Sequence, residues 1–163
     1  MKDLLIQTAE RTGVVNVESL RNFLEDSAGD ARSIDDVLLS SPNFTEDAVL
    51  KLFAEALGLE YFGDVDADKV PREFIDKVPA NYAQHHHVIG LRENGTGDIT
   101  AVISKPLNTS VLDNVSKMVG GPVETGLASR TSITAAIDIA YEQKNTVLEE
   151  VAEELDGQNL DKL

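Results

Sequence analysis

The chain has no cysteine in 163 residues. That absence excludes disulfides, thiolate metal sites and cysteine nucleophiles, and it is compatible with a reducing compartment. Positive charge is scarce: 14 Lys and Arg stand against 29 Asp and Glu, a formal charge of −15. A field of that sign repels phosphates, so nucleic-acid binding by phosphate neutralisation is not expected, and docking on an anionic lipid surface is disfavoured. No run approaches the ~20 apolar residues of a membrane span. The opening "MKDLLIQTAERTG" lacks the long apolar stretch of a secretory signal. Direct membrane insertion is therefore not expected, and the expected location is the cytosol. Nucleotide-hydrolysing glycine loops are missing too: "NGTGD" and "VGGPV" are the glycine pairs available, and neither leads into the Lys and hydroxyl that cradle phosphates and magnesium. The hydrophobic share, 42%, is high enough for a folded chain.

What is present divides into two halves and a tail. Residues 1–60 read as helical, with apolar residues at spacings of three and four and no strand-like alternation. Within them a weak repeat relates "GVVNVESLRNFLED" from Gly13 to "PNFTEDAVLKLFAE" from Pro42, an offset of 29 residues. Under that offset Asn16 falls on Thr45 as helix N-caps, and Val15 falls on Phe44 as hydrophobic staples. Two packed helical hairpins are the expectation. Residues 61–144 read as a small α/β subdomain. "HVIGLRE" and "ITAVIS" flank the turn sequence "NGTGD" as a hairpin, and "PVETGLAS" is a third strand. A helix capped by Asn108 or Thr109 stops at Gly120 and Gly121. A final helix is capped by Ser129 or Thr131 and carries Ile133, Ile137 and Ala140 or Tyr141 on one face. Residues 145–163 hold six acids and one lysine; Leu148, Val151 and Leu155 continue the helical spacing, and solvated linker follows Gly157. The fold class expected is α+β, a helical subdomain followed by a three-stranded α/β subdomain.

All three histidines, His85, His86 and His87, are adjacent. Neighbouring side chains point to opposite faces of a strand and spread by roughly 100° on a helix, so three in a row do not converge on one ion. A helix C-terminus favours imidazoles, so they are read as a structural helix-to-strand junction. The "DVDAD" run at 64–68 lacks the Gly and Glu of a calcium loop and is read as a capped turn. No Gly-x-Ser-x-Gly elbow or other catalytic constellation is found. Catalytic, cofactor and metal residues are all expected to be absent.

In order along the chain, "TEDAVLKLFAEALGLEYF", "VPREFIDKVPANYAQHHHVIGL" and "ITAVISKPLNTSVLDNVSKMVGGPVETGLASRTSITAAIDIAYEQ" resemble the N-terminal domain of the type II secretion and type IV pilus assembly ATPases. The resemblance covers roughly residues 3 to 144. It implies a two-part, non-catalytic domain ahead of an ATPase core. Such a domain either couples the motor to the inner-membrane machinery or senses cyclic di-GMP. Relatives that bind that nucleotide carry an Arg-Leu-Gly step in each repeat; the positions here are Leu4, Leu5, Ile6 and Ser33, Ile34, Asp35. Both arginines and both glycines are lacking, Asp35 is expected to repel a phosphate, and Ala56 stands where the second repeat has glutamine. Arg32 substitutes in part for one arginine. The leading expectation is therefore docking: binding a cytoplasmic domain of the inner-membrane platform protein, with the ATPase core in cis if the native chain is longer. The acid bias then asks for a basic patch on the partner. A degenerate cyclic di-GMP sensor and a stand-alone adaptor of the same fold are the alternatives.

Overall fold

The structure is a computed structural model and describes residues 1–93 and 97–143. The acidic tail and the first three residues of the "NGTGD" turn lie outside the described residues.

The helical half begins with α1 (Lys2–Thr12), which ends on Gly13 at φ 68. That is a left-handed conformation glycine reaches without steric cost. α2 (Val17–Asp26) opens on Asn16, whose side chain accepts a hydrogen bond from Ser19 N at 2.9 Å. α3 (Ile34–Leu39) and α4 (Glu46–Leu57) form the second hairpin. Thr45 caps α4 by accepting from Ala48 N at 3.2 Å. Asn16 and Thr45 thus do the same work 29 residues apart, as the repeat predicts. The staple residues add a cross-link: Phe44 meets Phe23 of α2 edge-on, with ring centroids 5.4 Å apart.

α4 is the helix the two halves share. Val49, Leu50, Leu52, Phe53 and Ala54 are all buried, too broad an apolar surface for one helix face. The reason is its position: it packs on α1 and α3 on one side and on two strands of the sheet on the other.

The sheet has four strands, one more than the sequence predicts. β1 (Glu60–Tyr61), β2 (Val88–Leu91), β3 (Ile99–Ile103) and β4 (Val123–Leu127) lie in the order β1-β4-β3-β2. β2 and β3 are antiparallel, with Val88 opposite Ile103, and form the expected hairpin. β3 runs parallel to β4, and β1 runs parallel to β4. The additional strand, β1, is two residues long, too short to show period-two alternation. It forms because Gly58 ends α4 in a left-handed turn, after which Phe62 N donates to Leu127 O at 2.8 Å.

Every residue of β2 and β3 is buried, so those two strands are covered on both faces, while β1 and the first three residues of β4 are partly exposed. Between β1 and β2 run a single 3₁₀ turn (Ala67–Lys69), α5 (Arg72–Lys77) and α6 (Ala80–His86). Asp66 caps the 3₁₀ turn by accepting from Asp68 N, so the acid-rich run is a capped turn. α7 (Thr109–Val119) crosses from β3 to β4 and stops at Gly120, φ 77. Asn108 occupies its N-cap position, but its side chain accepts from Ser110 Oγ rather than from the helix backbone. The last helix, α8, is described over 130–143. Ser129 is its cap, accepting from Ser132 N at 3.2 Å. Ile133, Ile137, Ala140 and Tyr141 are buried, and the Tyr141 hydroxyl donates to Val78 O at 2.6 Å. One continuous apolar core runs from Leu5 to Tyr141.

Candidate functional site

Three polar links between the helical half and the sheet half border one cleft. Asp35, in the first turn of α3, is 2% exposed. A buried carboxylate is costly unless its oxygens are hydrogen-bonded. Here Oδ1 accepts from Ser33 Oγ at 2.5 Å and from Asp36 N at 2.9 Å, while Oδ2 accepts from Leu107 N at 3.0 Å. Asp35 was expected to face and repel a ligand phosphate; it turns inward instead and ties α3 to the loop after β3. Beside it Asp36 pairs with Lys105 at 3.4 Å. The third link joins two helix starts. Glu46, the first residue of α4, accepts from the backbone N of Arg130 at 2.7 Å and from its Nε at 3.3 Å. A carboxylate there also meets the positive end of α8.

These links surround a cleft of about 420 Å³. Arg32, Lys105 and Arg130 approach it from three separate elements, with Leu39, Ser40 and Ser104 between them. Arg32 is braced by Asp30 through Nε–Oδ1 at 3.1 Å and Nη2–Oδ2 at 2.8 Å, and its Nη1 donates to Ser40 Oγ at 3.2 Å. That pairing holds the Asp30 carboxyl down at about 2 and raises Arg32 above its usual value. A second hollow of about 500 Å³ shares Glu46 and Arg130 and runs along α8 to His87.

The histidines divide at the end of α6. His85 and His86 are exposed in its last turn, their rings 4.8 Å apart and edge-to-face, and His86 lies against Tyr82. His87 is the left-handed C-cap at φ 50, a conformation that costs a residue with a Cβ. Burial, and then the charge of Arg130, lower its pKa below the ordinary histidine value. Among the described residues no group of three or more His, Asp or Glu is placed to hold a metal ion.

Chemically the cleft is equipped to hold charge. Its lining offers three cations, two carboxylates and two hydroxyls in a chain that is otherwise strongly acidic. Sequence reasoning singled out Arg32 and Asp35 for another role and did not find Glu46, Lys105 or Arg130. Their partners lie as far as 84 residues away, so no local pattern reports them. The one available signal is that Lys105 and Arg130 each stand at the end of a predicted element.

A family model for the MshEN domain matches residues 57–146, more than half of the chain. The chain belongs to the MshEN domain family. It is also similar to the type IV pilus assembly ATPase PilB of Myxococcus xanthus (strain DK1622), 26% identical over 141 residues. That match takes in 86% of this chain and 25% of PilB, so the chain spans about a quarter of that relative. Among solved structures, MshE with cdg superposes with a TM-score of 0.60 at 20% identity, over 84% of this chain and 98% of that one. The N-terminal domain of XpsE superposes with a TM-score of 0.50 at 20% identity, over 79% and 88%. At such identities these two likenesses concern the fold, which is the α+β fold of this MshEN domain. Together the matches bear out the resemblance to the N-terminal domain of the type II secretion and type IV pilus assembly ATPases.

Proposed function

We propose that this MshEN domain is a non-catalytic docking and regulatory domain of a pilus-assembly or secretion ATPase. Its partner in this reading is a cytoplasmic domain of the inner-membrane platform protein, which holds it at the inner-membrane face. The motor, as in PilB, is supplied by an ATPase core, in cis in a longer chain. One observation supports docking most directly. Three large hydrophobic side chains are strongly exposed among the described residues, and two of them, Met1 (49%) and Leu4 (40%), sit together at the start of α1. Exposed apolar side chains grouped on an acidic surface suit a protein contact rimmed by charge. No helix among the described residues is long and apolar enough to cross a membrane, so attachment through a partner fits.

The reading is tested by calorimetric titration of the chain with the platform protein's cytoplasmic domain from the same organism. Leu4→Asp is expected to weaken binding about tenfold or more, as loss of a buried apolar contact does. Raising salt from about 0.05 to about 0.5 M is expected to weaken it further through screening. Unchanged affinity in Leu4→Asp overturns α1 as the docking face, and absence of binding overturns the partner. The cyclic di-GMP alternative gains nothing from the residues: the Arg-Leu-Gly steps are lacking, Leu5 is in the core, and Asp35 is committed to Leu107.

A further inference from the structure

We propose that the cleft between α3, the end of β3 and the start of α8 binds a small molecule bearing a phosphate monoester, which displaces the Glu46 carboxylate from Arg130.

The charge distribution is the starting point. In a chain of net charge −15, three cations from positions 32, 105 and 130 face one cleft. Nothing local brings them together; the fold does. A volume of about 420 Å³ lies in the range of small-molecule sites, roughly 300–1,000 Å³. Leu39 gives the cleft an apolar wall and Ser40 and Ser104 give it hydroxyls, so an organic group and an anionic head both find complements.

The donors are already aimed at an anion. Arg130 presents its backbone N–H and its Nε–H to the two oxygens of one carboxylate, that of Glu46. Two oxygens of a phosphate occupy the same pair of donors, at a helix start that favours negative charge. Lys105 is held only loosely, 3.4 Å from Asp36, and more than half of its side chain is exposed, so it can turn to the same head group. Arg32, braced by Asp30, lines the same cleft.

The occupant must carry more than one negative charge. A monocarboxylate offers no more than Glu46, and Glu46 is tethered beside its site at high effective concentration. A dianionic monoester with three free oxygens outbids it where a carboxylate cannot. Once it is bound, Glu46 no longer joins α4 to α8, and the two halves are held there by Asp35 and Asp36 alone among the polar links described above.

The test uses the whole 163-residue chain, labelled with ¹⁵N, and phenyl phosphate as probe, with benzoate as control at matched ionic strength. Saturable shifts of the Ser104, Lys105 and Arg130 amides with phenyl phosphate, and much weaker ones with benzoate, are expected. Arg130→Gln is expected to weaken binding about tenfold, through loss of the guanidinium charge and of the Nε–H donor while the backbone donor remains. Glu46→Gln is expected to strengthen it about threefold by removing the competing charge. A thermal melt checks the fold of each variant, and Lys105→Gln, expected to weaken binding about threefold, stands in if Arg130→Gln does not fold. Shifts scattered over the surface, equal binding of benzoate, no saturation, or no gain in Glu46→Gln each overturn the proposal.

Discussion

Gly90 occupies the middle of β2, opposite Ala101 of β3. A Cβ added there would lie 2.5 Å from Phe74 Cδ2, 2.9 Å from Phe74 Cγ and 2.9 Å from Ile99 Cγ2. Comfortable carbon–carbon contacts lie near ~3.5–4.0 Å, so the methyl overlaps its neighbours by about 1 Å. Phe74 is 0% exposed and Ile99 is 3% exposed, so neither can swing into solvent to make room. Forcing an extra methyl into such a core costs about 1–3 kcal/mol. Replacing a strand glycine by alanine returns about 0.5–1 kcal/mol through lower chain entropy. Gly90→Ala is therefore expected to destabilise by about 1–2 kcal/mol, or about 2–8 °C in melting temperature for a chain of this length. Urea and thermal denaturation followed by circular dichroism read both quantities. The double variant with Phe74→Leu should lose less than the sum of the two single losses, because the smaller side chain vacates the contested space. A Gly90→Ala chain that melts at or above the parent temperature, or strictly additive losses, refutes the packing argument.

Two further perturbations probe the junction. Asp35→Ala removes a buried carboxylate, leaves the half-buried Leu107 N without its acceptor, and should cost about 1–3 kcal/mol, read as a lower urea midpoint. Acidification tests His87, whose folded pKa is lowered by burial and by Arg130. Between the unfolded value near ~6.5 and the lower folded value, the unfolded chain binds the proton first. Stability therefore falls as pH drops through that window and levels off below it. His87→Asn, which tolerates the left-handed backbone, should flatten that part of the pH profile; identical profiles for the two chains would refute the assignment.

Local chemistry made much of the fold legible. Asn16 and Thr45 cap helices because short polar side chains reach backbone N–H groups two or three residues ahead, and such signals lie wholly in the nearby sequence. The stop at Gly120 and the buried stripe of Ile133, Ile137 and Tyr141 are of the same kind. The helix-to-strand junction at the histidines was also legible, but not that His87 itself would take φ 50, a task more often left to glycine or asparagine. β1 was hidden because its two residues depend on β4, beyond sixty residues later in the chain. The cleft was hidden for the same reason: Glu46 and Arg130 become neighbours only when α4 and α8 are both in place. The ordered family stretches carried the recognition without any single decisive motif.

The brevity of β1 has a consequence for the protein in concentrated solution. It covers only Gly126 and Leu127 of β4, so the outer edge of β4 beyond them has no ladder partner among the described residues. An uncovered edge is a template for strand addition by another copy, the route by which sheets aggregate. This one is short, carries exposed Glu124 and ends against exposed Glu60 of β1, so two copies meeting edge to edge bring like charges together. Strand addition at that edge is thereby discouraged.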